Sequence, residues 1–91
     1  MKFAILVLTI TAYSAADHPP VGATGQPVLP GITAAVSRDL EHLMHSWVEV
    51  GGKPVWINDR THRRFTRRID LAVDSRETAL EWGKRKMEAR K

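Results

Sequence analysis

The alternation of hydrophobic and polar positions changes period along this 91-residue chain. Residues 3–13, FAILVLTITAY, are apolar except at Thr9 and Thr11 and rich in β-branched and aromatic types. That composition predicts a buried strand. The same stretch also has the order of a secretory signal: Lys2, an apolar centre, then Ser14-Ala15-Ala16 before a cut at Asp17. Residues 1–16 are therefore either a buried strand or a signal peptide, and they are too short for a transmembrane helix of about 20 residues. Residues 32–47, ITAAVSRDLEHLMHSW, place Ile32, Ala35, Val36, Leu40, Leu43, Met44 and Trp47 on one stripe, which predicts a helix over 32–46. Gly51-Gly52 between two apolar runs predicts a hairpin of strands 46–50 and 54–58. Residues 60–74, RTHRRFTRRIDLAVD, carry both a helical arginine spacing and an alternating apolar pattern. Asp74 or Ser75 then offers an N-cap, with Glu77 at the third helical position if Asp74 is the cap. The cap predicts a helix over 75–90 and makes 63–73 a strand. Gly83, costly in a helix interior, would pack closely against the sheet.

These elements predict one α+β domain over 32–91: a small antiparallel sheet of three or four strands backed by helices 32–46 and 75–90. Strand 3–13 is the fourth strand if the N-terminus is retained. Residues 17–31, DHPPVGATGQPVLPG, hold four of the five prolines and read as a linker.

Charge divides the chain. The first fifty residues carry two basic groups against four acidic ones, and the remainder twelve against six. A basic half suits an anionic partner. There is no cysteine, which excludes disulfides and thiolate chemistry. So small a core then calls for a protein partner or homo-oligomerisation as further support. An exported domain of this size without disulfides is unusual, which tips the reading toward a retained strand and the cytoplasm. Cleavage after Ala16 would make the protein secreted or periplasmic.

The candidate nucleic-acid contacts are Arg60, Arg63, Arg64, Arg67 and Arg68, supported by Lys53, Lys84, Arg85 and Lys86. On a strand, Arg64 and Arg68 face one way and Arg63 and Arg67 the other. Guanidinium groups on the solvent face can hold phosphates bidentately. Glu41, His42, His45 and Glu49 have spacings that can converge on a metal, but read as a solvated polar face. Trp47, Trp56 and Trp82 read as core. No phosphate-binding loop or nucleophile elbow is present, and the acidic residues are scattered. No enzyme, cofactor or metal is expected.

The segments GGKPVWIND, RRFTRR and DSRETALEWGKRK, within residues 46–91, resemble the arm-type or AP2-like DNA-binding domain at the N-terminus of phage integrases. That resemblance implies a three-stranded sheet lying in the DNA major groove with a helix behind it. The chain adds the 32–47 segment and the apolar N-terminus and lacks an integrase catalytic domain, so it would be a free-standing accessory protein. Its size and combination of segments also resemble small phage and prophage proteins. The leading expectation is non-catalytic nucleic-acid binding through the Arg-rich strand. Two others stand beside it: an exported interaction protein meeting an anionic surface or acidic partner, and an intracellular phage-type protein-binding module or inhibitor.

Overall fold

The computed structural model describes residues 5–17 and 20–91. The first two residues of the expected strand 3–13 thus lie outside the described region. In chain order the elements are β1 (Ile5–Ser14), a 3₁₀ turn (Ala15–Asp17), β2 (Thr33–Val36), a second 3₁₀ turn (Arg38–Leu43), β3 (Trp47–Val50), β4 (Lys53–Arg60), β5 (Arg68–Val73), α1 (Arg76–Trp82) and β6 (Arg85–Arg90). The strands close into a barrel in the order β1-β5-β2-β4-β3-β6. The β1–β5 and β2–β4 pairs are parallel and the others antiparallel. Among the described residues, closure leaves no strand edge to template aggregation.

This architecture overturns the α+β expectation of an antiparallel sheet backed by helices 32–46 and 75–90. Where the first helix was expected, Thr33–Val36 form a strand buried at every position. β2 is covered on both sides by neighbours, and a strand buried on both faces loses its alternation. Its Ala and Val side chains also fit the helical stripe, so the 3.6 period is coincidental there. Ser37 then pairs its backbone N–H with the Arg68 carbonyl, and Leu40 and Leu43 enter the core from the 3₁₀ turn. The second expected helix stops after seven residues. Ser75 caps it, accepting from the Thr78 N–H at 3.2 Å. Gly83, at φ 68°, ends it in the left-handed region that suits glycine. A Cβ on Gly83 would meet nothing within 4 Å, so its role is to terminate the helix rather than to pack closely. Beyond it β6 alternates: Met87 and Ala89 pack with the core while Lys86, Glu88 and Arg90 are exposed.

The hairpin of β3 and β4 forms as expected, with Gly51 and Gly52 at φ 58° and 85°. Strand β5 begins only at Arg68, and residues 61–67 form a loop instead of the expected strand start at 63. The barrel interior is filled by Leu8, Ile10, Val36, Val48, Ile57 and Ile69, each fully buried side chain contributing about 1.5–3 kcal/mol. β1 supplies Leu8 and Ile10, so loss of residues 1–16 would open the barrel between β5 and β6. No described helix is long and apolar enough to cross a membrane.

Candidate functional site on the outer face of the barrel

Strand periodicity sends alternate residues of β1 and β5 outward. On β1 these are Thr9, Thr11 and Tyr13; on β5 they are Arg68 and Asp70. Register then builds a row across four strands: Thr11 pairs with Asp70, Asp70 with Ala35, and Ala35 with Asp59. An irregularity between Ala34 and Ala35 skips Asn58 and brings Asp59 into line, the re-aiming a β-bulge performs. The two aspartates are therefore separated by two strand spacings, roughly 10 Å between Cα atoms. In the row the small Ala35 stands between them.

Above the row lies a cavity of about 280 Å³ lined by Tyr13, Ala35, Asp59, Arg60, Thr61, His62, Phe65 and Asp70. Asp59 is buried, at 4% exposure, and its Oδ1 accepts the Ala23 and Arg60 N–H groups at 2.7 and 2.8 Å. Asp70 is half-buried and accepts a hydrogen bond from the Thr11 hydroxyl at 2.9 Å. Burial first, then the negative charges of Asp59 and Asp70, hold the Tyr13 phenol well above its ordinary value. Tyr13 therefore stays a neutral phenol beside two acidic groups throughout the physiological range.

Residues 20–31, proline- and glycine-rich, run over the barrel as an arm that closes one side of the site. Thr24 donates to the Asn58 carbonyl at 2.9 Å, and the Asn58 amide donates to the Pro27 carbonyl at 2.8 Å. Gly22 presses so close that an added Cβ would stand 2.9 Å from the Asn58 carbonyl oxygen and 3.0 Å from the Asp59 carboxyl carbon. Gln26 accepts from the Trp56 indole at 2.9 Å. Trp47, 55% exposed, packs against Trp56 outside the core, the two rings tilted by 56°. Trp82 lies against the barrel and donates to the Ile10 carbonyl.

The basic residues singled out from sequence separate into different environments. Arg60 pairs with Glu41 at 3.1 Å, and His45 stacks on Trp56. Arg64 and Arg68 both lie over the Phe65 ring, at 4.8 and 3.7 Å. Arg67, non-glycine at φ 49°, is held by its N–H on the Asp39 carboxylate, its carbonyl on the Thr9 N–H, and its guanidinium on the Val7 carbonyl. Burial pushes the Asp39 carboxyl upward, but hydrogen bonds from Ser37 and the Arg67 backbone, with the Arg67 charge, bring it below the usual range. Arg63 is exposed on the loop. Lys53 opens β4 beside Gly31, Lys84 follows Gly83, and Arg85 stacks on Trp82 at 3.9 Å. Lys86, on β6, pairs with Thr9, which pairs in turn with Arg68.

Sequence reasoning missed Tyr13, Asp59 and Asp70 as a group. One signal was local: Asp70 interrupts an apolar run, opposite in parity to Ile69 and Leu71. The pairing with Asp59 has no local signal, because it depends on both acids flanking β2. No family model, curated protein or solved structure matches the chain.

Proposed function

We propose that this protein binds a carbohydrate chain in the Tyr13–Asp59–Asp70 cavity and cleaves a glycosidic bond there by acid–base chemistry. One observation carries the reading: two carboxyl groups from different strands share a row, paired across Ala35, and border one cavity. Such a pair suits glycoside hydrolysis, in which one carboxyl passes a proton to the leaving oxygen, the other stabilises positive charge on the sugar, and water then adds at the anomeric carbon and returns a proton to the first. Asp70 is the more open of the two and suits proton transfer. Asp59, fixed by two backbone N–H groups, suits the stabilising anion. Thr61, His62 and the Tyr13 phenol add polar groups, and Phe65 adds an apolar wall. That mixture orients a polyhydroxylated ring. A phosphate entering this cavity would meet two acidic side chains, a juxtaposition that costs several kcal/mol.

The test is incubation with soluble oligomers of glucose, N-acetylglucosamine, galacturonate and alternating N-acetylglucosamine–N-acetylmuramate, with products read by mass spectrometry. The native protein is expected to cleave at least one of them. Asp59→Asn and Asp70→Asn should each slow that cleavage roughly 10²- to 10⁴-fold while the melting transition is retained. Absence of cleavage across the series, or undiminished cleavage by both variants, overturns the reading.

A second reading, non-catalytic binding of nucleic acid or another polyanion, is favoured by the exposed Arg63, Arg64 and Arg67 on one loop. Its affinity would fall steeply with salt. Arg63→Ala/Arg64→Ala should weaken binding of labelled DNA and RNA at low salt, and unchanged affinity would exclude it.

A further inference from the structure

Beside the acidic cavity the outer face changes sign. Two residues before Asp70 and Thr11 on the same strands, roughly 7 Å away, Arg68, Thr9 and Lys86 form a row across β5, β1 and β6. Arg67 flanks this row, its guanidinium on the Val7 carbonyl next to Thr9 on β1. We infer that this row is an anion subsite, and that the carbohydrate taken by the cavity is an acidic glycan whose carboxylate substituent docks between Arg68 and Lys86. The inference rests on the carbohydrate reading above and extends it.

The site is organised before any ligand arrives. The Arg68 backbone is clamped by Ser37, whose hydroxyl accepts its N–H at 3.0 Å. Its guanidinium lies 3.7 Å over the Phe65 ring, a stacking that engages the flat face and leaves the N–H groups at the edge for an acid. Phe65 also lines the acidic cavity, so one ring forms the wall between the two subsites. Arg67 is locked at a positive φ by three partners, and such conformations collect at functional sites. Among the described residues, neither Arg67, Arg68 nor Lys86 forms an ion pair within 4 Å with a carboxylate side chain. Three acids stand near: Asp39 is engaged by the Arg67 backbone, Glu88 faces Val7 in the next row of β6, and Asp70, two residues beyond Arg68, accepts from the Thr11 hydroxyl. Across the row, two strand spacings separate Arg68 from Lys86, roughly 10 Å, a gap two long basic side chains can close on a single carboxylate.

The test compares each acidic oligosaccharide with its neutral methyl ester, using galacturonate oligomers and N-acetylglucosamine–N-acetylmuramate strands. Affinities are read by isothermal titration at low and moderate salt. The free acid is expected to bind at least tenfold more tightly than the ester. Lys86→Gln, an exposed change, and Arg68→Gln should each reduce that ratio toward one, while Asp70→Asn, which removes a nearby negative charge, should not lower the ratio and should slow cleavage roughly 10²- to 10⁴-fold. Equal affinity for acid and ester, or a ratio that survives both basic variants, overturns the inference. Binding and cleavage of neutral glycans with no acid preference would overturn the subsite while sparing the carbohydrate reading. If neither form of either oligosaccharide binds, the subsite falls, and if no glycan in the wider series is cleaved, the carbohydrate reading falls with it. Displacement of the bound acid by DNA at equal charge concentration would assign the row to nucleic acid and overturn the inference as well.

Discussion

The inner and outer faces of β1 and β5 belong to the same few residues yet carry opposite chemistries. Inward, Leu8, Ile10 and Ile69 are fully buried among apolar neighbours. Outward, Thr9, Thr11, Tyr13, Arg68 and Asp70 are all half-buried and belong to the acidic cavity or to the rows beside it. The period of two thus separates what stabilises the barrel from what can act on a ligand. It also ties them together, because a one-residue slip would put Asp70 inside and Ile69 outside. The hydrophobic interior therefore fixes the register that aligns Asp70, Ala35 and Asp59.

Exchanging side chains on the two faces is the strongest way to break this contrast. Ile10→Ala, on the inner face, should cost about 2–5 kcal/mol, seen in urea unfolding as a lowered midpoint. Thr11→Ala, the next residue and outward, loses one hydrogen bond to Asp70 and should cost only about 0.5–1.5 kcal/mol. Equal losses would show that the faces are not separated as described. Between these two effects lies Gly22→Ala in the arm. Its Cβ must displace the Asn58 carbonyl or the Asp59 side chain, an overpacking worth about 1–3 kcal/mol. It should also slow any glycan cleavage, through the shifted Asp59. A neutral result there would mean that the arm does not brace the site.

The smallest expected effect is electrostatic. The Asp39 carboxyl is held below its usual range in the folded chain, so the unfolded chain binds the proton more readily in acid. The resulting stabilisation is complete above the unfolded value of about 3.9 and is lost as pH falls through the folded value. Because Asp39 is exposed, salt should screen the contribution. Asp39→Asn is expected to flatten that acid limb slightly in urea midpoints measured from pH 6 to 3. An unchanged slope would separate Asp39 from the Arg67 clamp.

The parts of the fold readable along the chain were those with local causes. Gly51-Gly52 supplied a turn, Ser75 a cap, and the β-branched run of β1 a strand. Two helices were misread for identifiable reasons. Residues 33–36 are buried on both faces, so their pattern carries no strand period. In the last segment Gly83 stops the helix, and the alternation Lys86-Met87-Glu88-Ala89-Arg90 was the available sign of β6. The arginines could be found by composition. The acid pair could not, since Asp59 looks like a turn residue beside Asn58 and meets the row only through the irregularity in β2–β4 pairing. Barrel closure is likewise a long-range property with no local signature.

Tyr13, Asp59 and Asp70 border one acidic cavity. Tyr13 is the chain's single tyrosine, so tyrosinate absorbance in an alkaline titration reports that group alone. The folded protein should develop no tyrosinate near pH 10, the ordinary value. Ionisation should appear only at higher pH or on unfolding, and stability should decline above about pH 10 in a way that Tyr13→Phe removes. Asp59→Asn and Asp70→Asn should each move the titration downward, with burial keeping it above the ordinary value. A midpoint near 10 in the folded native protein, unchanged in both aspartate variants, would contradict the account.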